Sequence, residues 1–410
     1  MTRTEPSTRA VSPRVSAATR ATYVAFIGSG FAFASWASRI PQVRDRLQLS
    51  SADLGLVLLA IAVGSLIALP LAGLIVARLG SRRTVAFMAA LLSVGLAGAA
   101  AGYLAGIVPL LIGLFLLGFA NGAWDVAMNV QGALVEGKLG RAIMPRFHAG
   151  FSVGTVAGAL IGAVMVALGI GVTVHLVVVA VAVVVVVPLA VRRFLPDLPE
   201  PLEDGSAAPA DAPGILTRWR ESRTLLVGVV VLAFAFAEGA GNDWISVSLI
   251  DGYQASAVVG TLGFAVFLTA MTIGRWFGPG LLDRYGRVVV VRGLAVVALA
   301  GLVLFIFSPW VGLAFVGSLL WGLGASLGFP VGMSAAADDP AAAGARVSVV
   351  ASIGYCAFLA GPPLIGFLGE SITVLKALIS VAVLLGVATL VATSLRPLAP
   401  AGSMTAGDKV

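Results

Sequence analysis

Three polar side chains recur every four residues in the stretch Asn121-Gly122-Ala123-Trp124-Asp125-Val126-Ala127-Met128-Asn129-Val130-Gln131. On a helix Asn121, Asp125 and Asn129 share one face. A carboxylate between two amides can take up a proton and hydrogen-bond a polar solute, while Trp124 offers a ring to stack on. A second cluster reads Glu238-Gly239-Ala240-Gly241-Asn242-Asp243-Trp244. Glu238 falls in the middle of its apolar surroundings and is the second candidate proton carrier, with Asn242 as a solute ligand; Asp243 lies nearer the end and reads as an interfacial charge. The alternative for both clusters is structural, polar groups hydrogen-bonding one helix to another.

The elements that carry these residues follow from composition. Apolar residues make up 59% of the 410 positions and charged residues 11%, well under the ~25% of soluble domains. The apolar residues fall in twelve runs, roughly 21–38, 52–77, 84–105, 108–135, 147–168, 171–191, 224–250, 257–282, 288–307, 311–336, 347–368 and 373–394. A run of about 20 residues crosses a ~30 Å hydrocarbon core as a helix, and lipid leaves helix as the expected element because it cannot satisfy an open backbone. The expected fold class is therefore an all-α polytopic membrane protein. Charged residues in such runs are rare and by default mark an ion or solute path.

The net charge of +7 does not point to nucleic acid, because the basic residues sit in short segments between apolar runs. Assigning the N-terminus and every even-to-odd loop to the cytoplasm places 21 of the 26 Lys and Arg there, a strong positive-inside bias. Both termini are then cytoplasmic, with the chain in the cell's inner (cytoplasmic) membrane. Cys356 is the only cysteine and there are two histidines, so neither a disulfide framework nor a metal site is expected, and no cofactor.

Residues 1–20, with four arginines, read as a disordered cytoplasmic arm. Residues 192–223 hold an Ala/Pro stretch and read as a flexible cytoplasmic linker, and 396–410 as a tail. Bundles of six helices are expected over 21–191 and 224–395. The halves also match each other at a shared offset: Phe31-Ala32-Phe33-Ala34 with Phe234-Ala235-Phe236-Ala237, Arg78-Leu79-Gly80 with Arg284-Tyr285-Gly286, Gly150 with Gly354, and Leu160-Ile161-Gly162 with Leu364-Ile365-Gly366. Such a duplication of six helices is a transporter architecture. Gly150, Gly154, Gly158 and Gly162 form a small-residue face for close helix packing. Arg39, Arg44 and Arg46 read as a basic external loop.

The loop after the second run reads Gly73-Leu74-Ile75-Val76-Ala77-Arg78-Leu79-Gly80-Ser81-Arg82-Arg83 and its second-half counterpart Asp283-Arg284-Tyr285-Gly286-Arg287. These resemble the signature loops of the major facilitator superfamily, with Ala77 where the first signature carries an aspartate. Trp36, Arg39 and Pro41, the Asp125–Asn129 segment, and His148-Ala149-Gly150-Phe151-Ser152 resemble the YbjJ-type branch, relatives of fucose and other sugar permeases. The resemblance implies twelve transmembrane helices in two pseudo-symmetric six-helix bundles, with the cavity lined mainly by helices one, four, seven and ten. It adds Trp36 to the solute-binding set and implies gating roles for Arg78, Arg82, Asp283, Arg284, Arg287 and His148. Asp283 is expected at the start of the fifth helix, near Arg146 and His148, while Ala77 leaves the first-half loop without its carboxylate. The expected activity is proton-coupled import of a small polar solute, a sugar or sugar-like compound, by a monomer. The alternatives are a drug/proton antiporter and a non-transporting membrane sensor.

Overall fold

The computed structural model describes residues 12–140, 143–197, 215–339 and 342–398, and every regular element among them is helical. In chain order they are α1 (Pro13–Ala37), α2 (Ile40–Leu47), α3 (Ser51–Ala105), α4 (Ile107–Leu139), α5 (Met144–Ala167), α6 (Val172–Val191) and α7 (Ile215–Arg218). Then follow α8 (Ser222–Tyr253), α9 (Ala257–Phe307), α10 (Val311–Ala325), α11 (Gly328–Ala336), α12 (Ala343–Ile372), α13 (Val374–Ala377), α14 (Ile379–Val391) and a closing 3-10 turn (Ala392–Leu395).

All twelve apolar runs fall on helix. Among the described residues nine helical segments are long and apolar enough to cross a membrane. Two of them, α3 and α9, have 55 and 51 residues, which at ~1.5 Å per residue is more than twice a ~30 Å hydrocarbon core. Each is broken into two limbs at a glycine: Gly80 has φ 77° and ψ 159°, Gly286 φ 76° and ψ 162°. A side chain would resist that backbone, and glycine does not. The breaks are 206 positions apart, as are Gln48 and Gln254, which end α2 and α8 in the left-handed conformation. The internal repeat in the sequence thus has a counterpart in the backbone.

The outer faces carry apolar side chains. Val181, Val185 and Val186 on α6 are half-exposed and Leu390 on α14 is 78% exposed. Such a surface is costly in water and suited to lipid.

The chain divides into two compact units, one of residues 1–49 and 60–201, the other of 50–59 and 202–410. In the first, α1 and α5 meet backbone to backbone. A Cβ on Gly154 would lie 2.2 Å from the Ile27 carbonyl oxygen, and one on Gly30 2.3 Å from that of Phe151. Without a driving force from water, this close approach supplies the van der Waals contact that holds such helices. In the second, α8 packs on α9, α11, α12 and α14.

Three expectations are corrected. The amino-terminal arm was expected to be disordered to residue 20, but α1 begins at Pro13, where the Ser12 hydroxyl accepts from the Val15 N–H (3.3 Å) and proline suits the first turn. Residues 1–11 and 399–410, and 198–214 of the expected linker, lie outside the described residues. Residues 50–59, which include the first eight of the second run, group with the second unit instead of the first, where two glycines let backbones touch: a Cβ on Gly55 would meet the Pro362 oxygen at 2.5 Å, and one on Gly366 the Ser51 oxygen at 2.5 Å. Arg39 also does not belong to a solvated basic cluster, although Arg46 of the same loop is exposed. Arg39 is 2% exposed, donating from Nε to His175 Nδ1 (2.9 Å) and from Nη2 to the Ile170 oxygen (3.1 Å).

Candidate functional site

In the first unit the α4 stripe is a set of near neighbours. Asn121 accepts from the Ser29 hydroxyl of α1 (2.9 Å). Asn129 donates to the Asp125 main-chain oxygen (2.8 Å) and more weakly to Asp125 Oδ1 (3.3 Å). Asp125 is exposed on the protein surface of its helix, and among the described residues its carboxylate has no cationic partner. Trp124 stands one residue earlier, about 100° around the helix, with its ring against Gly28 of α1. It is fully buried, as is Trp36 at 1% exposure, and neither indole N–H has a partner among the described residues. Gln131, at the end of the stripe, is a structural staple: buried, it accepts from the Leu195 N–H (2.7 Å) and donates to the Ser81 hydroxyl (3.2 Å).

In the second unit Glu238 has a partner that composition did not reveal. Arg275 on α9 donates from Nη2 to both Glu238 oxygens at 2.8 Å, and from Nε to the Ser326 carbonyl at 3.3 Å. Ser326 lies in the break between α10 and α11, where a carbonyl at the C-terminal end of a helix is left free and negatively polarised. Gly274 makes the approach fit, since a Cβ there would be 2.3 Å from Ser326 Oγ. Both charged side chains remain about a quarter exposed. One turn on from Glu238, Asn242 Oδ1 is buried without a partner. Asp243 is half-buried with no hydrogen-bond or ion-pair partner among the described residues. The unit thus offers a guanidinium, a carboxylate, a freed carbonyl and an amide oxygen within a few turns of helix, a set suited to hydroxyl-rich solutes.

The residues expected to gate are divided among three local networks. After the Gly80 break, Asp197 Oδ2 accepts from the Ser81 N–H (2.7 Å) and Oδ1 from the Ser81 hydroxyl (2.5 Å). The first-half loop was expected to lack its carboxylate because of Ala77; Asp197, just past α6, puts one at the positive end of the second α3 limb. Arg78 and Arg82 flank this turn, both exposed. At α5, Glu136 accepts from the Ile143 and Met144 N–H groups, both at 2.7 Å. The free N–H groups expected to attract Asp283 are therefore already occupied from within the same unit. His148 lies edge-on to Phe26, with ring centroids 5.2 Å apart. Asp283 is exposed, Arg284 lies over the Tyr285 ring (5.1 Å), and Arg287 pairs with Asp338 (2.5 Å).

Asp338 also binds Arg223 (2.8 Å), and Arg346 binds Glu221 (2.8 Å) and Asp339 (2.9 Å). The Arg346 guanidinium holds the Glu221 carboxyl down at about 2, against an ordinary 4.5, with Arg218 and Thr224 adding to the effect. A depressed carboxylate stabilises the fold above its unfolded pKa and loses that contribution as pH falls towards the folded value. The thermal midpoint in detergent should therefore decline between pH 4.5 and 2. Glu221→Gln should start lower and show a shallower decline, and an unchanged acid limb would contradict the assignment.

Comparison with known proteins gives a consistent picture. Residues 22–345 match the model of the Major Facilitator Superfamily. The chain is 33% identical to an uncharacterised MFS-type transporter of Yersinia pestis, covering 88% of this chain and 91% of the relative. It is 29% identical to the membrane protein MosC of Rhizobium meliloti, covering 86% and 84%. Among solved structures it resembles the nucleoside transporter NupG (TM-score 0.73, 14% identity, 92% of this chain and 99% of that one). It also resembles the E. coli fucose:proton symporter FucP (TM-score 0.56, 16% identity, 92% and 98%). At these identities the structures share the fold alone. The helical architecture, the repeat and the family match agree: this chain belongs to the major facilitator superfamily, and is a multi-pass membrane carrier, not an enzyme.

Proposed function

We propose that the protein imports a small polar solute, a sugar or sugar-like compound, by proton-coupled alternating access. The observation that carries this reading is the contrast between two intramembrane carboxylates. Glu238 is held by Arg275 at a helix break, so the pair is suited to grip a solute's hydroxyl groups. Among the described residues Asp125 has only an amide side chain as hydrogen-bond partner, so a proton is the simplest counter-charge open to it. This contrast supports giving the two acids, equivalent in the sequence, separate roles: Asp125 moves the proton, and Glu238 with Arg275 and Asn242 holds the solute. Within the first unit, Asn121 and Asn129 are the amides on offer to a polar solute. Counterparts of both activities exist among proteins of similar fold, since FucP is named a fucose:proton symporter and NupG a nucleoside transporter. Uptake by proteoliposomes across a panel of sugars and nucleosides, with and without an inside-alkaline pH gradient, tests the reading. Gradient-stimulated uptake of a sugar supports it, and efflux of hydrophobic cations in its place would move the protein to the drug antiporters.

The topology belongs to the same proposal: twelve spans, both termini cytoplasmic, and the segment between α6 and α8 on the cytoplasmic side. Its basis is the arginine asymmetry. A reporter fused after Ser206 should read as cytoplasmic, and a periplasmic reading would reverse the orientation.

A further inference from the structure

Five arginines at the Gly80 end of the first unit line one cavity. In the second unit Arg223, Arg287 and Arg346 are each paired with Glu221, Asp338 or Asp339. In the first, Arg14 from α1, Arg82 and Arg83 from α3, and Arg192 and Arg193 after α6 surround a single cavity of about 390 Å³. None of these five has an ion-pair partner among the described residues, and all five are exposed. The one acid in the cavity wall, Asp197, spends both its oxygens on Ser81. Phe194 and Leu195 add an apolar floor. A positive-inside bias requires arginines at this end, but it does not require them to converge on one cavity with their charges open.

We infer that this cavity is a binding site for a phosphate-bearing anion, with the headgroup of an anionic phospholipid as the primary ligand. Guanidinium forks match phosphate oxygens two at a time, and bringing five of them together costs repulsion that an anion relieves. Basic pockets at helix ends on the cytoplasmic side are suited to anionic headgroups, and the apolar floor suits the start of an acyl chain. The cytoplasmic placement rests on the topology proposed above; the binding itself does not, so the two fail separately.

The test uses the full chain purified in detergent. Native mass spectrometry would titrate cardiolipin, with phosphatidylcholine as the zwitterionic control, and thermal unfolding would titrate inorganic phosphate. Each basic residue near a charged surface contributes enough that losing two should weaken cardiolipin binding about thirtyfold in Arg192→Gln/Arg193→Gln. The corresponding double lysine variant keeps the charge but not the fork and should lose less. Arg220→Gln, an exposed arginine outside the cavity, should bind like the parent. If inorganic phosphate shows the arginine dependence and cardiolipin does not, the site stands and its ligand is soluble. If the parent and both cavity variants bind cardiolipin and phosphate equally, or neither ligand binds the parent, the inference is wrong.

Discussion

Arg275→Gln should abolish solute uptake and lower stability, whereas Glu238→Gln/Arg275→Gln should recover the stability and stay inactive. Both side chains sit in membrane-spanning helices with about a quarter of their surface exposed. Removing one partner of a fully buried pair costs ~3–5 kcal/mol because the other charge is left without compensation; partial exposure reduces this to about 1–3 kcal/mol here. Removing both charges leaves no orphan, and such a double replacement is often close to neutral. A purely structural pair would therefore regain transport along with stability in the double variant. A pair that grips the solute regains stability only. Thermal midpoints in detergent and uptake in proteoliposomes, measured on the same preparations, separate the two cases, and an active double variant would remove Glu238 and Arg275 from the solute site.

Asp125→Asn should uncouple transport without ending it. A symporter moving one proton per solute accumulates about tenfold per pH unit, since one unit is 1.36 kcal/mol. The amide keeps the shape and a hydrogen bond to Asn129 but cannot carry the proton, so the accumulation ratio should fall to about one while solute exchange across the membrane continues. Loss of exchange as well would make Asp125 a binding residue, and full accumulation would exclude it from coupling.

How far these assignments were legible in the sequence depended on whether the cause was local. The spans could be read because lipid enforces twenty-residue apolar runs, and the break at Gly80 was marked by its repeat at Gly286. The α4 stripe was visible because a helix puts Asn121, Asp125 and Asn129 on one face. What the stripe could not show was the direction of Trp124, whose burial depends on packing against Gly28 of α1. The partner of Glu238 was hidden for a similar reason. Arg275 lies within the apolar run 257–282, and intramembrane charges are expected to pair, but no local pattern tied it to a residue 37 positions away. Asp197 and Glu136 were equally obscure: each caps a helix start from another segment, so Ala77 and the α5 end appeared to lack anions that the fold supplies. Asp243 was given an interfacial role from its position along α8, and only its lack of a partner among the described residues makes it notable.

The central claim is that solute and proton move together, and the most direct measurement is of the proton itself. Purified protein would be reconstituted in vesicles with no imposed gradient, a pH-sensitive dye outside, and an accepted sugar added. The account predicts external alkalinisation on addition of solute, absent in Asp125→Asn vesicles that still exchange the sugar. Uptake of the sugar by the parent protein with no change in external pH would contradict it.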